Sequence, residues 1–300
     1  MNKHTSIQVS SLALILIFTI SQFVNAQNQV EDAIKQMSQE NVSGYLQPFL
    51  DGFGANLNSG FSGTAKIEDG ITIRLDVIGM ANIIGTAQET YSAIPPEPFN
   101  QQPVSTATVF GGRGATLNGP SGTRYRFQNG QLNMDYFPLA APQITIGNVY
   151  NTQLIFRFFT YSEDSDVPDI NMFGIGLRHG LKQYFADLPV DLAAGVFYQN
   201  FTIGDIMKTD TFALTGMASK EWKFLSVYGG AQYEYAGMNL NYTFESAAEG
   251  ENPEVDFTFN SDNNIRAFIG LNLNFKVIHL RTDVSLANVP ILSASIGIGI

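Results

Sequence analysis

Three hundred residues with 44% hydrophobic, 12% aromatic and only 14% charged side chains suit one large β-rich body and are too apolar for disorder. Sixteen Lys and Arg against 27 Asp and Glu leave a formal charge of −11, which excludes a nucleic-acid partner, because phosphate binding needs a basic face. The absence of cysteine excludes disulfides, cysteine metal sites, thiol catalysis and a lipoprotein anchor.

The chain begins with Lys3 and His4, continues through the apolar run Leu12–Ile20 and reaches Val24-Asn25-Ala26. A basic start, a short apolar core and a small residue at the cut predict a secretory signal peptide over residues 1–26, cleaved after Ala26. The run is too short to span a bilayer as a helix, which takes about 20 apolar residues. Residues 27–60 form a plug-like helical segment: Val30, Ile34, Met37, Leu46, Phe49, Leu50 and Phe53 make one apolar stripe at helical spacing. Gly52 and Gly54 are expected to end the helix. Its polar face carries Glu31, Asp32 and Glu40 beside a single Lys35, so packing on or inside a β body is favoured over lying on a membrane surface.

From Ile71 to the end the period is two. Ile71, Ile73, Leu75 and Val77 alternate with Thr72, Arg74 and Asp76, and Ile278, Leu280, Val284 and Leu286 interleave with His279, Arg281, Asp283 and Ser285. The alternating runs reach ten residues or more, whereas soluble strands cluster near 5–6 and tilted membrane strands need about 9–11. Aromatics near the run ends (Tyr150, Tyr161, Tyr184, Trp222, Phe275) suit interfacial girdles. Fourteen candidate strands can be counted, near 62–69, 71–84, 104–112, 122–128, 143–150, 152–161, 171–183, 190–204, 209–219, 222–236, 237–246, 263–275, 276–286 and 290–300. The expected fold is therefore all-β: an antiparallel transmembrane β-barrel of 12–14 strands over 61–300, with an N-terminal amphipathic helix. Counting five crossings between residues 170 and 245 puts the acidic loops 162–170 and 247–262 on opposite sides.

Several stretches resemble a barrel family of unknown function from the outer membranes of Bacteroidetes-type bacteria. They are Tyr45-Leu46-Gln47-Pro48-Phe49, Gly52-Phe53-Gly54, Leu57-Asn58-Ser59-Gly60, Gly174-Ile175-Gly176-Leu177-Arg178-His179-Gly180 and Ser226-Val227-Tyr228-Gly229-Gly230. The resemblance implies an outer-membrane barrel and brings no catalytic residues with it. A weaker similarity is to long-chain fatty-acid channels, which combine an N-terminal plug with a barrel, although their Asn-Pro-Ala plug hallmark is missing.

No enzyme chemistry emerges. His179 falls on the apolar parity of its strand with no serine or acid to serve it, no group of residues has metal-ligand spacing, and the glycine run 111–122 lacks the lysine of a phosphate loop. No cofactor or metal is expected. The lumen-lining candidates are Arg74, Asp76, Arg157, Arg178, Lys182, Arg266, His279, Arg281 and Asp283, on the polar parity of their strands. Two readings stay open for them: a charged channel lining, or Arg–Asp pairs that fill a narrow barrel or touch the N-terminal helix. The corresponding functions are passive passage or binding of a small or amphipathic solute, and a closed structural or adhesion barrel without transport; a bilayer-facing hydrolase, with His179 as its only lead, trails far behind. The partners expected are outer-membrane lipid, such a solute and the barrel-assembly machinery.

Overall fold

A computed structural model describes residues 37, 39–68, 70–132, 134–162, 168–185, 188–243 and 254–300. The signal segment, the first part of the predicted helix and most of both acidic loops lie outside these residues. The elements are the helix α1 (Gln39–Leu57) and fifteen strands: β1 (Thr72–Ile83), β2 (Thr90–Ala93), β3 (Val104–Ala107), β4 (Thr116–Asn118), β5 (Arg124–Arg126), β6 (Tyr136–Val149), β7 (Thr152–Tyr161), β8 (Ile170–Gly180), β9 (Asp191–Ile203), β10 (Met207–Trp222), β11 (Leu225–Thr243), β12 (Glu254–Asn260), β13 (Ile265–Phe275), β14 (Ile278–Leu286) and β15 (Ile291–Gly299). The described chain forms two compact units. One comprises the residues up to Pro48 with Gly85–Met134, and the other Phe49–Ile84 with Asp135–Ile300.

In the smaller unit, β2 pairs with β3 and β4 with β5. Asn41 ties the start of α1 to Ile94, donating to its carbonyl at 2.8 Å and accepting from its amide at 3.0 Å. Tyr45 is buried and its hydroxyl donates to the Asn129 carbonyl at 2.9 Å.

The larger unit is a closed antiparallel barrel. Ten strands run β1-β6-β7-β8-β9-β10-β11-β13-β14-β15, and β15 returns to β1 with Arg74 opposite Gly299 and Asn82 opposite Ile291. β12 only extends the far end of β11, pairing with Gly237–Thr243. The all-β barrel expected from alternation is what the chain forms, with ten strands rather than twelve to fourteen. The two predicted strands at 222–236 and 237–246 are one continuous strand, β11. Residues 62–68 form no strand, and only 62–65 of them are buried inside the barrel, while 104–112 and 122–128 contribute only short ribbons of the other unit. An even number of crossings, β8 to β11, therefore separates the two acidic loops, which leave the same end of the barrel. That corrects the odd count.

The outward face is apolar and uncovered: Ile73, Leu75, Ile175, Leu177, Leu214, Ile269, Ile296 and Ile298 are all exposed. Exposed aromatics line up across neighbouring strands, Phe158 opposite Phe173 and Tyr198 opposite Phe212 opposite Tyr235. Near the other end stand Tyr150, Trp222, Phe224 and Phe275. Water would penalise such a surface, whereas a bilayer with interfacial aromatic belts accommodates it. The barrel is a transmembrane one. Its two ends differ: one carries the two-residue turns at Tyr150-Asn151, Lys223-Phe224 and Lys276-Val277 with the 181–190 connection, and the other the turns at 204–206 and 287–290 with the connections that follow β7 and β11.

Candidate functional site

The lumen is occupied by the protein itself. Every residue from Gly52 to Ala65 is buried, and this run of Gly, Ala, Ser, Asn, Leu, Thr and Phe carries no charge until Lys66. Its first part is the last turns of α1, which extends four residues beyond the predicted Phe53 to Leu57. Gly52 and Gly54 do not end the helix; they let it approach the wall. A Cβ on Gly54 would sit 2.4 Å from the Ala236 Cβ, and one on Gly52 would meet the Asn82 amide at 2.6 Å. The chain turns instead at Gly60, whose φ of +75° is a left-handed conformation that glycine adopts without strain.

Beyond Leu57 the segment has no strand to pair with, so its buried carbonyls need other donors. Four inward arginines supply them. Arg157 donates to Leu57 O at 3.2 Å and Ser59 O at 2.6 Å, and Arg281 to Gly60 O at 2.8 Å and Ser62 O at 2.6 Å. Arg178 reaches Phe61 O at 3.3 Å, and Arg266 reaches Ala55 O at 2.8 Å. The Arg157 guanidinium also lies 3.6 Å over the Phe61 ring, which stacks on Phe197. Gln232 donates to Asn58 O, and Ser219 accepts from the Ala65 amide at 2.9 Å. At the other end Phe53 packs edge-on against Phe201, and Phe49 against Phe137.

The structure places the sequence candidates unevenly. Arg157, Arg178, Arg266 and Arg281 face inward onto the luminal segment rather than onto an open channel. Arg266 pairs with buried Glu234, Arg74 with Asp76 at 2.9 Å, and Asp283 accepts from Tyr228 at 2.8 Å. His279 bonds to Asn274 at 2.8 Å. Lys182 does not line the lumen: it sits in the turn after β8, largely exposed and 2.9 Å from Asp191, because the strand ends at Gly180 and alternation no longer applies beyond it. Glu31 and Asp32, expected partners of these arginines, lie outside the described residues, and Glu40 is exposed in the smaller unit. Sequence reasoning passed over Glu234 and the carbonyls of residues 55–62. The uncharged, glycine-rich run after α1 was the signal for the second, since only small residues thread a narrow lumen beside bulky arginines.

His179 shows no catalytic arrangement. Its ring nitrogens contact Thr152, Tyr184 and Gln183, with no carboxylate among them. Among the described residues no group of His, Asp and Glu could hold a metal ion.

Residues 1–300 match a family described as a family of unknown function (DUF6588), and the chain belongs to that family. No curated protein matches it by sequence. Among solved structures it is similar to the translocator domain of the autotransporter NalP from Neisseria meningitidis, at 12% identity over 82% of this chain and 91% of that one, with a TM-score of 0.24. It is also similar to a BenF-like porin from Pseudomonas fluorescens (10% identity, 78% and 98% of the two chains, TM-score 0.18) and to OccK8 from Pseudomonas aeruginosa (9%, 78% and 98%, TM-score 0.19).

Proposed function

We propose that this family member is an outer-membrane barrel closed by its own luminal segment, so that it forms no open pore. The observation that carries the reading is the unbroken buried run Gly52–Ala65, held by six arginine-to-carbonyl hydrogen bonds. Hydrogen bonds to charged groups contribute about 1.5–3 kcal/mol each, so expelling the segment would strand both the carbonyls and the guanidiniums. The signal segment and the apolar outer face support export and insertion by the barrel-assembly machinery into lipid. The role is non-enzymatic. Free passage of a solute is disfavoured by the occupied lumen, whereas binding of one at the lumen's end remains compatible with closure.

Planar-bilayer recording from the purified full-length chain tests this. The expected trace shows no steady conductance after insertion is verified by protease protection. A stable ohmic conductance from the unmodified protein would overturn closure and return the passive channel to the front.

A further inference from the structure

At the tight-turn end the lumen opens into a small, partly open vestibule with a cavity volume of about 60 Å³. In a chain of formal charge −11 this pocket is basic. Arg74, Arg178 and Lys276 line it, with Glu68 as its acidic side chain; Lys66, also at the rim, is paired with Glu221. Arg281 approaches from beneath: a Cβ on Gly63 would lie 3.1 Å from its Nη1 and 3.3 Å from Nη1 of Arg178, so both guanidiniums converge on one glycine. Arg74, Asp76 and Arg281 share the adjoining hollow, where Asp76 is the one carboxylate for two guanidiniums. Asp76 is already engaged by Nε of Arg74. The Nη atoms of Arg74 and the amine of Lys276 have no partner among the described residues. Arg178 and Arg281 already donate to main-chain carbonyls, so the donors left for an anion are those of Arg74 and Lys276.

We propose that the vestibule binds a hydrogen phosphate group, free or on a lipid headgroup. Guanidinium and ammonium donors match phosphate oxygens with charge-assisted hydrogen bonds. His279 narrows the choice of anion. Its Nδ1 faces the Asn274 carbonyl oxygen, which also accepts from Asn272 at 3.1 Å, so Nδ1 carries the proton and Nε2 is left as an acceptor. A hydrogen phosphate has both the oxygens the cations need and a P–OH to donate to Nε2. Sulfate and carboxylates lack that donor at neutral pH.

The test is calorimetric titration of the full-length protein, folded in a non-ionic detergent, with inorganic phosphate, sulfate and dihexanoyl phosphatidic acid at matched ionic strength. Saturable phosphate binding is expected, weaker for sulfate, and reduced about tenfold in Lys276→Gln, the loss of one charge-assisted bond. Lys276 is exposed in a turn, so that substitution leaves the barrel folded, as a heat-modifiability gel will check. Binding of phosphatidic acid without inorganic phosphate assigns the source to a lipid headgroup, and the reverse to a soluble phosphate. No saturable binding of either, or phosphate binding undiminished by Lys276→Gln, overturns the proposal. Conductance does not enter this readout, so failure here and failure of closure are distinguishable.

Discussion

Arg157 is wholly buried in a protein that crosses a membrane, and what makes that tolerable is the neutral company it keeps. Gln143, two main-chain carbonyls and an aromatic face surround it, so the guanidinium is solvated by dipoles rather than neutralised by a carboxylate. Arg157→Met keeps much of the bulk but orphans the Leu57 and Ser59 carbonyls together with Gln143. The expected cost is at least about 3 kcal/mol, three buried acceptors being left unmade at about 1–3 each. It is to be read as a lower midpoint in heat-modifiability gels. Lys182→Ala is the contrasting control, because its side chain is largely exposed and should matter by less than about 1 kcal/mol. In the smaller unit, burial pushes the Tyr91 phenol up from its usual 10 to about 12, and Tyr45 beside it is raised further by the same cause. A raised folded-state pKa means that the neutral phenols stabilise the fold fully below pH 10 and that this contribution is lost as pH climbs past it. Absorbance titration at about 295 nm should therefore show these two tyrosines ionising late, with loosening of that unit between pH 10 and 12. Ionisation of all the tyrosines together near the ordinary value would contradict the packing described for Tyr45.

At the scale of elements, the strands were legible and the lumen was not. Alternation from Ile71 onward fixes which residues face out, because a one-residue slip would turn Leu292, Ile296 and Ile298 of β15 into the lumen. Alternation cannot say what occupies the inside, since a polar inward face suits water, paired charges or a threaded segment equally. The same ambiguity split β11 in two. Ala236-Gly237 looks like a turn, but Ala236 is small because Gly54 of α1 lies against it, a contact between residues remote in sequence. Glycines 52 and 54 look like helix terminators for the same reason. This contact gives a test of the threaded arrangement. Gly54→Ala should overpack the lumen and destabilise by about 1–3 kcal/mol. Ala236→Gly removes the opposing Cβ and should recover much of that loss in the double variant. Strictly additive effects on unfolding midpoints would mean that the two residues do not touch.

For the whole molecule, the ring of ten strands and the threaded segment together dictate sidedness. β1 starts and β15 ends at the tight-turn end, and the luminal segment runs the opposite way to β1, entering near Phe137 and leaving beside Ser219. In outer-membrane barrels the short turns face the periplasm and the long connections face outward. By that rule the connections at Asp205 and Asn288 are expected outside, and the turns at Lys223 and Lys276 in the periplasm. The chain contains no cysteine, so single-cysteine variants report position without background. A membrane-impermeant maleimide applied to intact cells should label Asp205→Cys and Asn288→Cys and leave Lys223→Cys and Lys276→Cys untouched until the outer membrane is permeabilised. All four positions are exposed, so poor reactivity cannot come from burial in the fold. Labelling of the two lysine positions alone on intact cells would invert the barrel and turn the phosphate vestibule toward the outside.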